Sequence, residues 1–286
     1  MKLSCNKQVL VEAVSIIQRA VSTKSSIPAL EGILIKTTEQ GIELCGYNLE
    51  LGMKTTIKAN IAEPGKAVLS AKLFGEIVRR LPNTNLIFSY DNETVSTKIE
   101  YDQAETNIKC WRGEEFPGIS ILDDGHMITI NPAVFKSLVK QTSFCANMND
   151  PRPIFTGVLL EVKGNNLTMV GTDSHRLAVK MCKIDNLTNE DFTIIVPVKS
   201  LNEISRILKD DSEDVLTIRC NNRVINFECN GIRLSSRLVD GTFPNYRQVI
   251  PEDYNLLIKA KKKQLQESIE RASLFVPSRS GTNKLA

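Results

Sequence analysis

Between Val170 and Lys180 the chain reads V-G-T-D-S-H-R-L-A-V-K, which sets a carboxylate, a hydroxyl and one of the chain's two histidines side by side at Asp173, Ser174 and His175. Those residue types are the parts of a hydrolase: a serine nucleophile, an imidazole base and a carboxylate to orient it. Their adjacency argues against it. Val170 and Leu177-Ala178-Val179 flank the group with strand-forming residues. In an extended backbone Asp173 and His175 point to one face and Ser174 to the other. Triads recur through spatial arrangement, not through consecutive residues. The stretch is therefore expected to be a strand end with polar residues at its mouth. A hydrolase using Ser174, His175 or Asp173 is the rival reading from another class. It requires turnover of ester or phosphodiester substrates that Ser174→Ala and His175→Ala abolish, and none is expected. No metal-ligand cluster, glycine-rich phosphate loop or other catalytic spacing appears in the sequence, so neither a metal nor a cofactor is expected.

The elements that position this stretch belong to a chain of 286 residues, long enough for about two domains with real cores. Its hydrophobic content of 42% and charged content of 24% are ordinary for a globular protein. The 36 basic and 33 acidic residues leave a net charge of +3, too balanced to announce a nucleic-acid partner by composition alone. Any basic footprint must come from placement. The seven cysteines (Cys5, Cys45, Cys110, Cys145, Cys182, Cys220 and Cys229) stand singly, with no C-x-x-C pair. That spacing disfavours a disulfide framework or a zinc site and fits reduced thiols in a cytosol. No apolar run approaches the roughly 20 residues that span a bilayer, and the start M-K-L-S-C-N-K lacks the apolar centre of a signal peptide. A soluble, cytoplasmic protein with no membrane partner is expected.

The order of elements repeats. Val9, Leu10, Ala13, Val14, Ile17 and Ala20 recur at helical spacing. A loop ending in Ile27-Pro28 follows, then two strand-like runs about T-E-Q-G that read as a hairpin. Beyond Pro64-Gly65, Ser70 is a candidate N-cap for a helix with Leu73, Phe74, Ile77, Val78 and Leu81 on its core stripe. Short strand-like runs lead to E-E-F-P-G-I. The pattern then restarts at Asn131-Pro132, an N-cap followed by a first-turn proline. Val134, Phe135, Leu138 and Val139 form that helix's stripe, and a hairpin with a Gly-Asn-Asn turn comes next. Pro153 lies 125 positions after Pro28, Gly157 the same distance after Gly32, and Gly171 the same after Gly46, which sets Asp173 on Asn48. Further on, Lys199 follows Lys72, Glu203 follows Glu76, Arg206 follows Arg79 and Phe243-Pro244 follows Phe116-Pro117, each by 127. A register held over that length, with a two-residue slip, is an internal duplication with one loop insertion, far longer than solenoid repeats. It predicts α+β domains in tandem at 1–124 and 125–251. From 252 to 286 a third copy starts, with Leu265, Ser268 and Ile269 in place of Phe135, Leu138 and Val139. A lone helix cannot bury its stripe, so this one is expected to pack on the second domain or a partner, or to belong to something longer.

Basic residues sit off the apolar stripes at repeated places: Lys24, Lys72 and Arg79 in the first copy, Lys136, Lys140, Arg152, Lys199 and Arg206 in the second. A single basic helix face is ordinarily just solvated. Equivalent cations on helices held side by side suit a phosphate backbone read without regard to sequence.

T-D-S-H-R-L-A at Thr172 to Ala178, G-T-F-P-N-Y-R-Q-V-I-P at Gly241 to Pro251 and the tandem duplication together resemble the bacterial DNA polymerase III beta subunit family, the replicative sliding clamps. The family pattern usually carries glycine where Ser174 stands. The resemblance covers the chain from Met1 and implies an α+β DNA-clamp fold, helices lining a ring interior and antiparallel sheets outside. It implies three such domains per protomer, with two protomers joined head to tail as a homodimer around double-stranded DNA. The implied activity is non-catalytic: a processivity factor that tethers the replicative polymerase, the clamp loader and repair proteins through Q-L-x-L-F-like motifs. The family's partner-peptide pocket maps onto Thr172, His175, Arg176, Leu177, Pro244 and Val249. Its DNA contacts map onto Lys24 and the loop from Asn149 to Arg152. An apolar cleft with Leu177, Pro244 and Val249 fits leucine and phenylalanine anchors. The alternative, because the third domain is incomplete here, is a fragment or paralogue that binds such peptides and does not close a ring.

Overall fold

The computed structural model describes residues 1–209, 214–251 and 253–275. It forms two compact units, Met1–Phe243 and a second beginning at Pro244. The first holds the repeated helices and strands of both copies. Its first copy runs β1 (Lys2–Asn6), α1 (Lys7–Ile17), β2 (Gly32–Thr38), β3 (Gly41–Tyr47), β4 (Leu51–Ile57), β5 (Asn60–Glu63), β6 (Lys66–Ser70), α2 (Ala71–Arg80), β7 (Asn85–Asp91), β8 (Ser96–Tyr101) and β9 (Ala104–Arg112). The second runs in the same order: β10 (His126–Ile130), α3 (Pro132–Thr142), β11 (Gly157–Lys163), β12 (Asn166–Thr172), β13 (Leu177–Lys183), β14 (Asp185–Asn186), β15 (Phe192–Pro197), α4 (Val198–Ile207), β16 (Leu216–Cys220), β17 (Val224–Cys229) and β18 (Ile232–Arg237). The fold is α+β with antiparallel pairing, as the patterning required.

Local chemistry is duplicated along with topology. Asn6 and Asn131 both accept from the first-turn backbone, at Gln8 and Val9 in one copy and Ala133 and Val134 in the other, relieving donors that a helix start leaves unpaired. Ser70 holds the N-cap place of α2, but its hydroxyl makes no cap bond. Gly46 and Gly171 occupy equivalent points where a strand crosses a helix end. A Cβ at Gly46 meets the Ile17 carbonyl, and one at Gly171 the Thr142 carbonyl, so only glycine allows the approach.

One sheet of fourteen strands crosses from copy to copy in the order β14-β10-β16-β17-β18-β4-β3-β2-β6-β9-β8-β7-β1-β5, and β13-β12-β11-β15 form a separate sheet. The joint is β4 with β18, antiparallel from Leu51 opposite Ser236 to Thr55 opposite Ile232. On the helical side, Arg19 reaches Glu203 of α4 at 3.5 Å.

The cores centre on aromatic pairs between helix and sheet: Phe74 edge-on to Phe88 at 6.1 Å, and Phe135 tilted against Phe227 at 5.7 Å. The apolar stripes are narrower than the sequence predicted. Val9, Leu73 and Val134 are 45%, 49% and 41% exposed. Each immediately precedes a fully buried residue, Leu10, Phe74 or Phe135, and a one-residue step turns about 100° around a helix, off the face the sheets cover.

The second unit, taken by itself, contains α5 (Lys262–Ser273), none of whose residues is buried. Leu265 and Ile269 are exposed on it. Of the expected third-copy start at 252–286, residues 252 and 276–286 lie outside the described residues.

These burials predict that Phe135→Ala lowers the unfolding free energy by about 3–5 kcal/mol, read as a shift of the urea midpoint. Val134→Ala, beside it on the helix, should cost less than about 1 kcal/mol.

Candidate functional site

Strand β12 ends at Thr172 and β13 begins at Leu177, so the residues between them form a turn. The extended backbone expected across Asp173 to His175 is not what forms: Ser174 has a φ of 73°, in the left-handed region. A side chain there costs about 1–2 kcal/mol. The turn is organised by Asp173, whose Oδ1 accepts from the backbone N–H groups of His175 and Arg176, both at 3.0 Å. Thr172 closes it by donating its hydroxyl to the Arg176 carbonyl at 2.7 Å and accepting from the Ser174 N–H at 3.2 Å.

The same turn stands in the first copy. Asn48 Oδ1 accepts from the N–H groups of Glu50 and Leu51, and Leu49, the counterpart of Ser174, also has a φ of 73°. The backbone form therefore belongs to the duplicated fold. What distinguishes the second copy is the chemistry mounted on it.

That chemistry is not a triad. Asp173 meets the backbone of His175, not its ring, and gives its other oxygen to Arg176 Nε at 2.9 Å. Ser174 Oγ accepts from Arg152 Nη2 at 3.2 Å. The His175 side chain is exposed and makes no hydrogen bond among the described residues. Partial burial alone raises the Asp173 carboxyl, but the His175 and Arg176 N–H groups and the Arg176 guanidinium outweigh it and hold the group below the usual carboxylate range.

Around the turn, Leu177 is half-buried and the Arg176 guanidinium lies 5.9 Å from the ring centre of Phe144. Phe144 is 57% exposed, an apolar surface residue beside the predicted contacts that the sequence did not single out. Nothing in its local pattern marked it, because it follows the helix stripe in a short 3-10 turn. Pro244 and Val249 lie in the second unit, and both are exposed.

The predicted DNA contacts divide by their partners. Lys24, Lys72, Lys140 and Lys199 are exposed and make no ion pair among the described residues. Arg79 donates Nε to the Gly75 carbonyl of its own helix at 2.8 Å. Lys136 is half-buried, its Nζ 3.4 Å from the Leu208 carbonyl. Arg206 pairs with Glu203 at 2.6 Å, and Glu203 also takes Arg19. In the Asn149–Arg152 loop, Arg152 grips Asp150 through Nε and Nη2 at 3.0 and 3.2 Å and stacks 4.2 Å over Phe155. Asn149 is exposed. The Arg152 side-chain and backbone N–H groups hold the Asp150 carboxyl low.

Family models match the chain over both copies: the N-terminal domain of the DNA polymerase III beta subunit over residues 1–120, and its central domain over 129–245. The chain belongs to this family. The beta sliding clamp of Bacillus subtilis is 32% identical over 293 residues, which takes in 100% of this chain and 76% of the relative. The beta sliding clamp of Halalkalibacterium halodurans is 30% identical, with 98% of this chain and 75% of the relative covered. Among solved structures, the Bacillus subtilis sliding clamp superposes with a TM-score of 0.94 over 98% of this chain and 75% of that one. The DNA polymerase III beta chain of Streptococcus pneumoniae, 30% identical, gives 0.89 over 96% and 74%. No helix among the described residues is long and apolar enough to cross a membrane. All seven cysteines are free, and burial pushes Cys5, Cys45 and Cys220 up to about 12.

The turn yields two predictions. Asp173→Asn keeps the acceptor that Asn48 supplies in the first copy, so it should preserve the turn while releasing Arg176. Asp173→Ala should lose about 0.5–1.5 kcal/mol for each of the two solvent-facing hydrogen bonds no longer made, measured by urea unfolding. Because the folded Asp173 value is lowered, the stability from its charged form is complete above the unfolded value of about 3.9. It is lost as pH falls through the lower folded value. Amide exchange at His175 and Arg176 should therefore show constant protection from about pH 8 to 5, after correction for intrinsic rates, and lose it only in stronger acid.

Proposed function

We propose that the chain is a DNA polymerase processivity factor: a sliding clamp that surrounds duplex DNA without reading its sequence and tethers the replicative polymerase and other factors. Membership of the beta-clamp family, over both copies of the duplicated domain, carries this reading. The chain works as a non-catalytic scaffold, and its processivity comes from topology instead of tight contact. Two protomers joined head to tail supply the closed form.

The turn fits the tethering role. It presents Arg176 and His175 to solvent beside Leu177 and Phe144, joining polar groups to apolar surface as short Q-L-x-L-F-like motifs require. Thr172 and Asp173 hold the turn from beneath. Pro244 and Val249, the family's other pocket positions, are exposed in the second unit.

The cations fit a weak, salt-sensitive grip. Lys24, Lys72, Lys140 and Lys199 are exposed and make no ion pair among the described residues, whereas Arg206 and Arg152 are offset by Glu203 and Asp150. Replacing Lys72, Lys140 and Lys199 together by alanine should reduce the slope of log affinity against log salt on duplex DNA by about 0.9 for each phosphate no longer neutralised. Arg206→Ala, already paired, should change it by much less.

Light scattering across a concentration series tests the closed form first. A dimer that is retained on nicked circular DNA, and runs off it when linearised, supports the proposal. A monomer at all concentrations overturns ring closure for this chain and leaves a module that binds clamp-motif peptides.

A further inference from the structure

Ser174 joins the turn bearing the partner contacts to the loop bearing the candidate DNA contacts. Its hydroxyl accepts from Arg152 Nη2 at 3.2 Å across 22 residues of sequence. The same guanidinium is held by Asp150 through Nε and Nη2 and lies over Phe155. The loop is itself ordered by short-range bonds, Asn147 N–H to the Phe155 carbonyl at 2.9 Å and Asp150 N–H to the Asn147 carbonyl at 3.0 Å. The duplication supplies an internal control. At the positions of Arg152 and Ser174 the first copy has Ile27 and Leu49, two apolar residues on the same backbone, with Leu49 also at a φ of 73°. The turn forms without a hydrogen bond at that position. Ser174 is therefore not needed to make the turn, and the polar link is an addition peculiar to the second copy.

We infer that Ser174 is a positioning residue that latches Arg152 to the partner-binding turn, so that occupancy of the duplex and of the peptide site are coupled through one hydrogen bond. The inference rests on the roles proposed above for the loop and the turn. A backbone phosphate draws Arg152 off Asp150 and Ser174, because a guanidinium pairs bidentately with phosphate as it does with carboxylate. The turn then loses its tie to the loop and presents His175 and Arg176 less rigidly, which weakens the peptide. By linkage the peptide weakens the duplex by the same factor.

Two substitutions separate the hydroxyl from the backbone. Ser174→Gly suits the left-handed conformation and removes the acceptor. Ser174→Asn also tolerates that conformation and restores an acceptor through its side-chain carbonyl. In the unliganded full chain, hydrogen-exchange mass spectrometry should show residues 147–156 exchanging about threefold faster in Ser174→Gly, and at the original rate in Ser174→Asn. With a fluorescent Q-L-x-L-F peptide at low salt, saturating short duplex should raise the peptide Kd about threefold in the original chain and in Ser174→Asn, and leave it unchanged in Ser174→Gly. Equal exchange in all three chains, or the same response to duplex in Ser174→Gly as in the original, overturns the latch. Failure of the original chain to bind either peptide or duplex instead overturns the functional reading, and the exchange rates still decide whether the latch exists.

Discussion

Backbone pairing of β4 with β18 is the joint that unites the two copies of the duplicated domain. Strand edges are templates that must be paired, covered or charged, and here the edge of one copy is filled by the last strand of the next. The pairing runs from Leu51 opposite Ser236 to Thr55 opposite Ile232, and it fuses strands of both copies into a single sheet. The helices packed on the sheets are seated by buried side chains, Phe74 on α2 and Phe135 on α3 among them. The Arg19–Glu203 contact records the result, linking the first copy's helical segment to α4.

The same joint explains why the two copies differ in their sheets. In the first copy β9 reaches β6, pairing Ala67 with Arg112 and Leu69 with Cys110. In the second, the equivalent strand, β18, is engaged with β4, and β15 borders a separate four-stranded sheet. One sequence plan therefore yields two local topologies according to what lies alongside. Non-local pairing of this kind is invisible to periodicity, which reports only which face of an element is apolar.

What could be read from the sequence follows that division. The duplication, the α+β class, the hairpins and the Asn131 cap were legible because each depends on residues within a few positions or on a register repeated at 125. The width of the helix stripes was not, since Val9, Leu73 and Val134 sit at apolar spacing and yet face outward. Ser174 was misjudged for a related reason: flanking β-branched residues argued for extended backbone, while Asp173 pulled two following N–H groups onto one oxygen and turned the chain. Asn48 in the first copy does the same, and a comparison of the copies as turns instead of strands is the signal that finds it. The ion pairs of Arg152 and Arg206 were partly legible. Asp150 and Glu203 stand two and three positions away, close enough to foresee neutralisation.

Duplication also separates what the fold needs from what the function adds. Gly46 and Gly171, Asn48 and Asp173, and the left-handed Leu49 and Ser174 are matched requirements: each pair solves one geometrical problem twice. Where the copies diverge, stability gives no reason for the choice. An Asn suffices to hold the turn, so the negative charge at Asp173 has another use, and it finds one in orienting the Arg176 guanidinium. Leucine is accommodated at the strained position, so the serine hydroxyl there is not a concession to backbone geometry. The second copy has converted a structural turn into a charged, solvent-facing one, and the residues that changed are those that touch one another: Asp173 with Arg176, and Ser174 with Arg152. A scaffold that is already secure tolerates such exchanges at small cost, since the strand pairing and the glycine contact beneath them are untouched. The specific surface in this chain is therefore best sought where its two halves disagree.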